Sequence, residues 1–240
     1  MSMDTVLSEI SLQGLAITFL PVAVVVGIMV LWSAGARTAL YATFRMLIQL
    51  LLIGYVLVYI FDSDQPLFIL AVLAVMLTVA SWIAIRPLHM KDPSTYLNSL
   101  VAISVGGILT LALVSGLVLG VEPWFSPRYL VPLAGMIFAG SMNAVSLAAE
   151  RFQSEQERGI SYVEARQVAL QAALIPITNS LFAVGLVALP GMMTGQILSG
   201  VSPMVAAKYQ IVVMTMLFGT SGISAALYLV LANRSSNNRE

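Results

Sequence analysis

The sequence contains no cysteine and a single histidine among its 240 residues. The absence of cysteine excludes a disulfide framework, a thiolate metal site and a cysteine nucleophile. The single His89 likewise excludes a metal cluster built from several histidines. Charge is scarce too, since 9% of the residues are charged and 59% are hydrophobic, whereas a soluble domain carries about 25% charged residues. Too few charged side chains remain to cover a water-facing surface, so we expect lipid to surround the chain.

Basic residues are few and are balanced by acidic ones, 11 against 11. A protein that binds nucleic acid needs a basic face, so we expect no nucleic-acid partner. The chain has two lysines: Lys91 is followed by aspartate and Lys208 by tyrosine. The loop G-x-x-x-x-G-K-[ST], which binds nucleotide phosphates, needs serine or threonine after its lysine, so this loop is excluded. The hydrolase motif G-x-S-x-G and the metalloprotease motif H-E-x-x-H are absent as well. We therefore predict that the chain is not an enzyme and holds no cofactor of its own.

Long hydrophobic runs dominate what is present, and a run of roughly 20 apolar residues can cross a bilayer as a helix. Seven runs qualify, which predicts an all-α, polytopic membrane helix bundle that forms a single domain over residues 1–240. The first run follows an N-terminus without Lys or Arg, unlike a signal peptide, so we expect it to be retained. The predicted spans are 12–33, 39–61, 67–86, 97–120, 129–149, 172–190 and 204–232.

The distribution of Lys and Arg predicts the orientation of the bundle, because cytoplasmic loops collect these residues. Nine of the eleven basic residues fall on one side of the predicted spans, and only Arg128 and Lys208 fall on the other. We expect an external N-terminus and a cytoplasmic C-terminus. The chain would then be a multi-pass membrane protein.

The densest run of charge lies between the fifth and sixth predicted spans. This segment, ERFQSEQERGISYVEARQ (150–167), falls on the predicted cytoplasmic side, and no proline or glycine interrupts 160–175. We expect it to form a helix along the membrane surface that runs into the sixth span by about residue 171. It is either a solvated connector or a docking element for a soluble partner.

Polar side chains within the spans are mostly amides and hydroxyls. Arg45 and Gln49 are spaced i, i+4 and so share a helix face near the cytoplasmic end of the second span. They form either an interfacial anchor or a pair that faces the bundle. In the fifth span, small residues around Gly140 predict close helix packing, and Asn143 is a candidate for lining a pathway.

The stretch LVALPGMMTGQILSGVSP, residues 186–203, interrupts the chain between the last two spans. Irregular backbone survives at membrane depth only where protein or a watery cavity satisfies its polar groups, and broken helices of transporters line the cargo path. The stretch is either an external hairpin with a methionine cap or a re-entrant gate. We expect Gly191 and Gly195 to hold backbone shapes that a side chain would obstruct. The candidate gate residues are Pro190, Gly191, Met192, Met193, Gly195 and Gln196.

Three stretches together resemble the FetB-type family of ABC permeases. They are RMLIQLLLIGYVLVYIF (45–61), PLAGMIFAGSMNAV (132–145) and AALIPITNSLFAVGLVALPGMMTGQILSGVSPMVAAKYQIVV (172–213). The most specific part is LPGMMTGQIL. The resemblance implies a permease of a bacterial inner membrane without its own ATPase, which forms a homodimer and works with separate subunits that bind ATP and Mg²⁺.

The resemblance also implies a role for the charged segment. Residues 159–165 are similar to the family's G-A-[ST]-x-x-[EQ]-A element, which is similar to the coupling loop that ABC permeases seat in their ATPase. The coupling candidates are Gly159, Glu164 and Ala165, and Ile160 stands where alanine is usual.

The implied cargo is a metal, specifically iron, whereas plant members of the family are linked to aluminium tolerance and to a nucleotide sugar. Iron prefers oxygen and imidazole ligands, and thioethers suit softer ions. Met192 and Met193 are therefore poor iron ligands, and no residue is assigned to a metal site. The residues alone also allow an ATP-independent channel or secondary carrier.

Overall fold

The computed structural model describes residues 11–89 and 92–237, with side chains described as far as residue 233. The predicted all-α class is confirmed over these residues, in which α-helices account for most of the chain. The elements are α1 (Leu12–Ile17), α2 (Leu20–Leu31), α3 (Ala36–Phe61), α4 (Pro66–Ala84), α5 (Pro93–Ala112), a π-helix (Leu113–Val118), α6 (Pro127–Glu157), α7 (Tyr162–Ala183), α8 (Gly191–Leu198) and α9 (Pro203–Asn237).

Six helical stretches of the described chain are long and apolar enough to cross a membrane. The first combines α1 with α2, and the fourth combines α5 with the π-helix. The remaining four are α3, α4, α6 and α9. These six stretches coincide with six of the predicted spans, so the polytopic membrane bundle is confirmed.

The other predicted span, 172–190, differs from expectation. Its helix, α7, begins earlier, at Tyr162, and ends at Ala183. The first turns of α7 carry Glu164 and Arg166, and its second half is free of charged residues. The chain leaves the helix over 184–190 although most of these residues are apolar, which is why hydropathy carried the prediction past the end of the helix. Pro190 consequently does not end this span.

The charged segment 150–167 is also arranged differently from expectation. Helix α6 has 31 residues and is about 46 Å long at 1.5 Å per residue, whereas the hydrocarbon core of a bilayer is roughly 30 Å thick. A turn at residues 158–161 then leads into α7, which packs against α6. The segment is therefore the tip of a helical hairpin, here the α6–α7 hairpin, rather than a separate surface helix.

Four of the long helices begin at a proline: Pro66, Pro93, Pro127 and Pro203. Proline suits the first helical position because its fixed φ is helical and its missing N–H would have no partner there. Pro203 thus begins α9 one residue before the predicted start of the last span at 204.

The chain divides into two compact units, one up to Asp62 and one from Ser63 onward. The first unit contains α1, α2 and α3, and Ile60 is the only buried residue among those described in it. The second unit contains α4 to α9, with α6 and α9 packed against each other and both packed against α5 and α7. A single domain over 1–240 stays a prediction.

Small residues set the spacing of α5, α6 and α9 in the second unit. A Cβ added to Gly106 would lie 2.3 Å from Ser224 Oγ, and one added to Gly107 would lie 2.8 Å from the Phe138 ring. Such close approach is typical of helix packing in membranes, where van der Waals contact drives association. The packing role predicted for the small residues around Gly140 agrees with this, since a Cβ there would lie 3.1 Å from Leu217.

Buried hydroxyls join α6 to α9. Ser141 Oγ and Thr220 Oγ1 are hydrogen-bonded at 2.8 Å, and the Ser224 hydroxyl donates to Ser141 Oγ at 3.1 Å. All three side chains are fully buried. The polar groups therefore satisfy one another inside the bundle, and they fix the register of α6 against α9.

The predicted orientation concerns termini that fall at residues 1–10 and 238–240, outside the described residues. An external N-terminus and a cytoplasmic C-terminus therefore stay predictions.

Candidate functional site

The coupling candidates lie at the tip of the α6–α7 hairpin. Gly159 has a φ of +77° and ends α6, with its N–H bonded to the Gln156 carbonyl and the Ile160 N–H bonded to the Glu155 carbonyl. This pair of bonds is a Schellman motif, which requires the left-handed backbone that glycine adopts without strain. The motif explains Gly159 as the residue that reverses the chain.

Helix α7 starts at a capped N-terminus directly after this turn. The Ser161 hydroxyl accepts the backbone N–H of Glu164 at 3.4 Å, and the S-x-x-E spacing is that of a capping box. The Glu164 side chain is exposed, whereas Ala165 is fully buried. The tip thus offers Glu164 to a partner, and Ala165 serves the packing of α7 on its neighbours.

Charged and aromatic contacts stabilise the tip of the α6–α7 hairpin. The Glu155 carboxylate, 7% exposed, forms ion pairs with Arg151 and Arg158. The rings of Phe152 and Tyr162 meet edge to face with their centroids 6.0 Å apart. The ion pairs lie within α6 and its C-cap, and the ring contact crosses from α6 to α7, so the hairpin tip has a defined shape.

The candidate gate segment forms a loop, a short helix and a turn. The loop 184–190 follows α7, and Pro190 is the N-cap of α8. Helix α8 has 8 residues and is about 12 Å long, so it cannot cross a bilayer by itself. It packs on α9. The segment is an interruption between two long helices, as its prolines and glycines predicted.

The structural reason expected for Gly191 and Gly195 is wrong. Both lie within α8 with helical backbone, and a Cβ added to either would meet no atom within 4 Å. The glycines with left-handed backbone flank α8 instead, Gly185 with a φ of +82° and Gly200 with a φ of +91°. The special backbone therefore lies at the joints on either side of the short helix.

A cavity of about 640 Å³ lies between the start of α6, α8 and the start of α9. It is called the α8 cavity below. Among the gate candidates, Met192 and Gln196 line it, whereas Pro190, Gly191, Met193 and Gly195 do not. From α6 and α9 its lining includes Arg128, Tyr129, Pro132, Leu133, Met136, Val205, Tyr209, Val212 and Val213.

Gln196 supplies a hydrogen-bonding group to this cavity. Its Oε1 atom is buried and has no hydrogen-bond partner among the described residues. A buried acceptor without a partner is costly, about 1–3 kcal/mol. Rotation of the Gln196 side chain toward the α8 cavity would let a ligand with a hydrogen-bond donor satisfy this oxygen.

A second cavity, of about 300 Å³, contains the pathway candidate Asn143 and is called the Asn143 cavity. It lies between α6, the second half of α7 and α9. Its polar side chains are Asn143, Ser180 and Ser221. Its other lining residues are Met136, Ala139, Gly140, Ala144, Leu147, Ala173, Pro176, Ile177 and Leu217.

Both cavities follow one face of α6. The α6 residues that line them run from Arg128 to Leu147 at intervals of three and four positions, which is the spacing of a single helix face. That face is about 28 Å long, close to the roughly 30 Å hydrocarbon core of a bilayer. Helix α9 forms the opposite wall from Val205 to Ser221. Together the two cavities form the α6–α9 groove, which can offer polar groups along most of the depth of a membrane.

Arg45 and Gln49 belong to the first unit, on α3, whereas the lining of both cavities belongs to the second. The shared helix face is as predicted: with the Gln49 amide oxygen turned toward Arg45, the Nε and Nη2 atoms donate to it at 3.1 and 3.3 Å. A partner for the guanidinium on its own helix suits an anchor, and a role in the pathway stays a prediction.

Several lining residues were not singled out from the sequence, above all Met136, Tyr129 and Tyr209. The spacing of Arg128, Pro132, Met136 and Asn143 in the sequence does indicate one shared face of α6. The sequence does not show that this face is the one that meets α9, so the lining could not be predicted from it. Within the described residues, no group of three or more His, Asp or Glu side chains could hold a metal ion.

The sequence model of UPF0014, described as an uncharacterised protein family, matches residues 12–236. A UPF0014 membrane protein of Synechocystis is 37% identical over 211 residues, which cover 81% of this chain and 77% of the relative. The probable iron export permease protein FetB of Escherichia coli is 35% identical over 224 residues, 87% of this chain and 82% of the relative.

A plant protein is similar as well. The protein ALUMINUM SENSITIVE 3 of Arabidopsis thaliana is 32% identical over 201 residues, which cover 78% of this chain and 72% of the relative. No solved structure matches the chain. With six helices able to cross a membrane and a family match along nearly its whole length, the chain belongs to the UPF0014 family, and it is a multi-pass membrane protein.

Proposed function

We propose that the protein is the membrane-spanning permease subunit of an ABC transporter that exports iron across a bacterial inner membrane. ATP and Mg²⁺ bind to a separate ATPase subunit. The observation that supports this most is the α6–α9 groove, because its two cavities follow one face of α6 for about 28 Å. The E. coli relative, named a probable iron export permease, supports iron as the cargo.

The α8 segment is the proposed gate at one end of the groove. Met192 and Gln196 of α8 line the α8 cavity, and Gly185 and Gly200 bracket the helix with left-handed backbone. Residues at such joints can absorb a change of φ and ψ when a segment moves. Movement of α8 would open or cover the cavity without disturbing the packing of α6 on α9.

The hairpin tip is the proposed ATPase contact. It lies at the C-terminal end of α6, whereas the α8 cavity lies at the N-terminal end of the same helix. Glu164 is exposed there, on a turn braced by Gly159 and Ser161. A partner that displaces the tip would move α7, whose second half lines the Asn143 cavity. This gives ATP hydrolysis a mechanical connection to the groove.

A second copy of the permease is proposed to close the groove. Ala139 and Asn143 line the Asn143 cavity and yet are exposed on one face of α6. An amide that faces hydrocarbon without a partner is unfavourable by several kcal/mol. An Ala139→Cys variant of this cysteine-free chain should form a disulfide-linked dimer under mild oxidation. Leu117→Cys, at an 85% exposed position of the π-helix, is the control that should stay monomeric, and equal cross-linking of both variants would contradict this interface.

The cargo is proposed to travel as an iron complex with negative charge. The described residues offer no cluster of metal ligands, and Arg128 lines the α8 cavity, where it would repel a bare cation. The Arg128 guanidinium suits a carboxylate complex such as ferric citrate, whereas the Gln196 oxygen is an acceptor and would need a hydroxyl or a water molecule carried with the complex. A nucleotide sugar shares this negative charge, so Arg128 also favours it as the second candidate cargo.

The test is reconstitution of the permease with the ABC ATPase that copurifies with it. Proteoliposomes should move radioactive ferric citrate only with ATP and Mg²⁺, and an ATPase variant that cannot hydrolyse ATP should abolish the movement. The same vesicles should be offered a radioactive nucleotide sugar. Movement of the sugar alone would replace iron as the cargo, and iron movement without ATPase or ATP would identify an independent carrier.

A further inference from the structure

Among the described residues, Met136 is the only one that lines both the α8 cavity and the Asn143 cavity. It lies on α6 between Leu133, which faces the first cavity, and Gly140, which faces the second. On the opposite wall, α9 passes from Val213 in the first cavity to Leu217 in the second. The two cavities therefore meet at the Met136 side chain.

The walls on either side of Met136 are held at a fixed spacing. Ser141, Thr220 and Ser224 tie α6 to α9 through buried hydroxyl bonds, and Gly140 allows Leu217 to approach closely. Separating α6 from α9 would break these bonds and open buried contacts. A methionine side chain, in contrast, has three rotatable bonds and adapts to its surroundings, so at this point the side chain is the part that can move.

We propose that Met136 is the constriction of the groove, the side chain that separates the two cavities and sets the size of what passes between them. This rests on the proposed transport function, in which cargo crosses the groove. A cargo in the α8 cavity reaches Asn143 when the thioether rotates aside. Leucine at this position would keep the constriction, whereas alanine would leave the two cavities joined.

The test uses single cysteines and needs neither ATPase nor cargo, so its outcome is independent of whether iron is transported. Gln196→Cys reports on the α8 cavity and Asn143→Cys on the Asn143 cavity. A membrane-impermeant thiol reagent is applied to proteoliposomes of the full chain, on the face from which Gln196→Cys reacts. We expect Asn143→Cys to react slowly from that face.

Adding Met136→Ala should raise the reaction rate of Asn143→Cys to near that of Gln196→Cys, and Met136→Leu should leave it slow. Met214→Ala is the matched control, since Met214 is buried on α9 and lines neither cavity. Gel filtration of each variant shows whether it is folded. An unchanged rate in Met136→Ala, or rapid labelling of Asn143→Cys while Met136 is present, would overturn the proposal.

Discussion

Ser141 on α6 and Thr220 on α9, 79 positions apart in the chain, place their hydroxyl oxygens 2.8 Å from each other in a fully buried site. Ser224 donates a second bond to Ser141. The bonds are side chain to side chain, so they specify one register of the two helices that form the groove walls. In water-free surroundings a hydroxyl without such a partner can bond only to other protein groups, such as a carbonyl of its own helix.

Replacing either hydroxyl should destabilise the folded bundle by a measurable amount. Interhelical hydrogen bonds in membranes contribute about 0.6 kcal/mol each on average, so Thr220→Val should cost about that and Ser141→Ala, which removes two bonds, about 1 kcal/mol. The free energy of unfolding, from SDS titration in mixed micelles, measures the cost. Thr215→Val is the control, because Thr215 is exposed and bonds to its own helix. Equal stability of the Thr220 and Thr215 variants would contradict the role of the buried pair.

The close approach of α5 to α9 gives a second test. A Cβ at Gly106 would lie 2.3 Å from the Ser224 hydroxyl oxygen and 3.2 Å from the Ser224 backbone nitrogen. Overpacking of this kind typically costs about 1–3 kcal/mol, so Gly106→Ala should lower the thermal unfolding temperature of the purified protein. Gly222→Ala should not, because a Cβ there meets nothing within 4 Å and alanine favours a helix over glycine by about 1 kcal/mol.

The joints of α8 are expected to be more sensitive than its interior. Alanine at Gly200 would have to adopt a φ of +91°, and strained backbone of this kind costs about 1–3 kcal/mol. Gly195→Ala instead adds a methyl group to open space. ATP-dependent ferric citrate transport should therefore fall in Gly200→Ala and persist in Gly195→Ala, with protein yield measured for both. Loss of transport in Gly195→Ala alone would mean that α8 meets a partner surface at that position.

Sequence reasoning succeeded where hydropathy and helix geometry coincide. Six long helices lie at predicted spans, and Pro203 starts the last one. It failed at 184–190 because apolar side chains such as Leu186 and Val187 continue the hydropathy signal past the last helical residue, Ala183. The backbone leaves the helix at the extended residue Val184 and turns at Gly185, which has a left-handed φ, and side-chain hydropathy reports neither conformation.

In the candidate site, too, sequence patterns predicted some residues and missed others. Local patterns located Met192, Gln196 and Asn143, since a broken helix and an amide in an apolar span are visible in the sequence. They did not locate Met136, because an isolated methionine in a membrane helix looks like any other apolar residue. Its importance comes from the packing of α6 against α9, which brings together segments about 80 residues apart.

The hairpin tip allows a prediction about coupling. Glu164 is exposed beside the capped start of α7, so Glu164→Lys should weaken copurification with the ATPase and lower cargo-stimulated ATP hydrolysis. Truncating a charge that is buried at an interface costs about 2–5 kcal/mol, and reversal should cost no less. Glu122→Lys makes the same charge change on an exposed residue before α6, at the other end of the helix, and should leave complex formation intact. Unchanged complex yield in Glu164→Lys would remove this residue from the contact.

Leucine variants of the two methionines of α8 test whether the α8 cavity binds metal through sulfur or only needs side chains of that volume. Met192 lines the α8 cavity and Met193 does not. Leucine keeps nearly the same volume and loses the thioether, and such swaps usually cost less than about 1.5 kcal/mol. Because iron prefers oxygen and nitrogen ligands, both Met192→Leu and Met193→Leu should transport ferric citrate at close to the normal rate. If Met192→Leu lost transport at a normal protein level while Met193→Leu kept it, sulfur would be a ligand in the α8 cavity, and a softer metal ion would become the cargo to test.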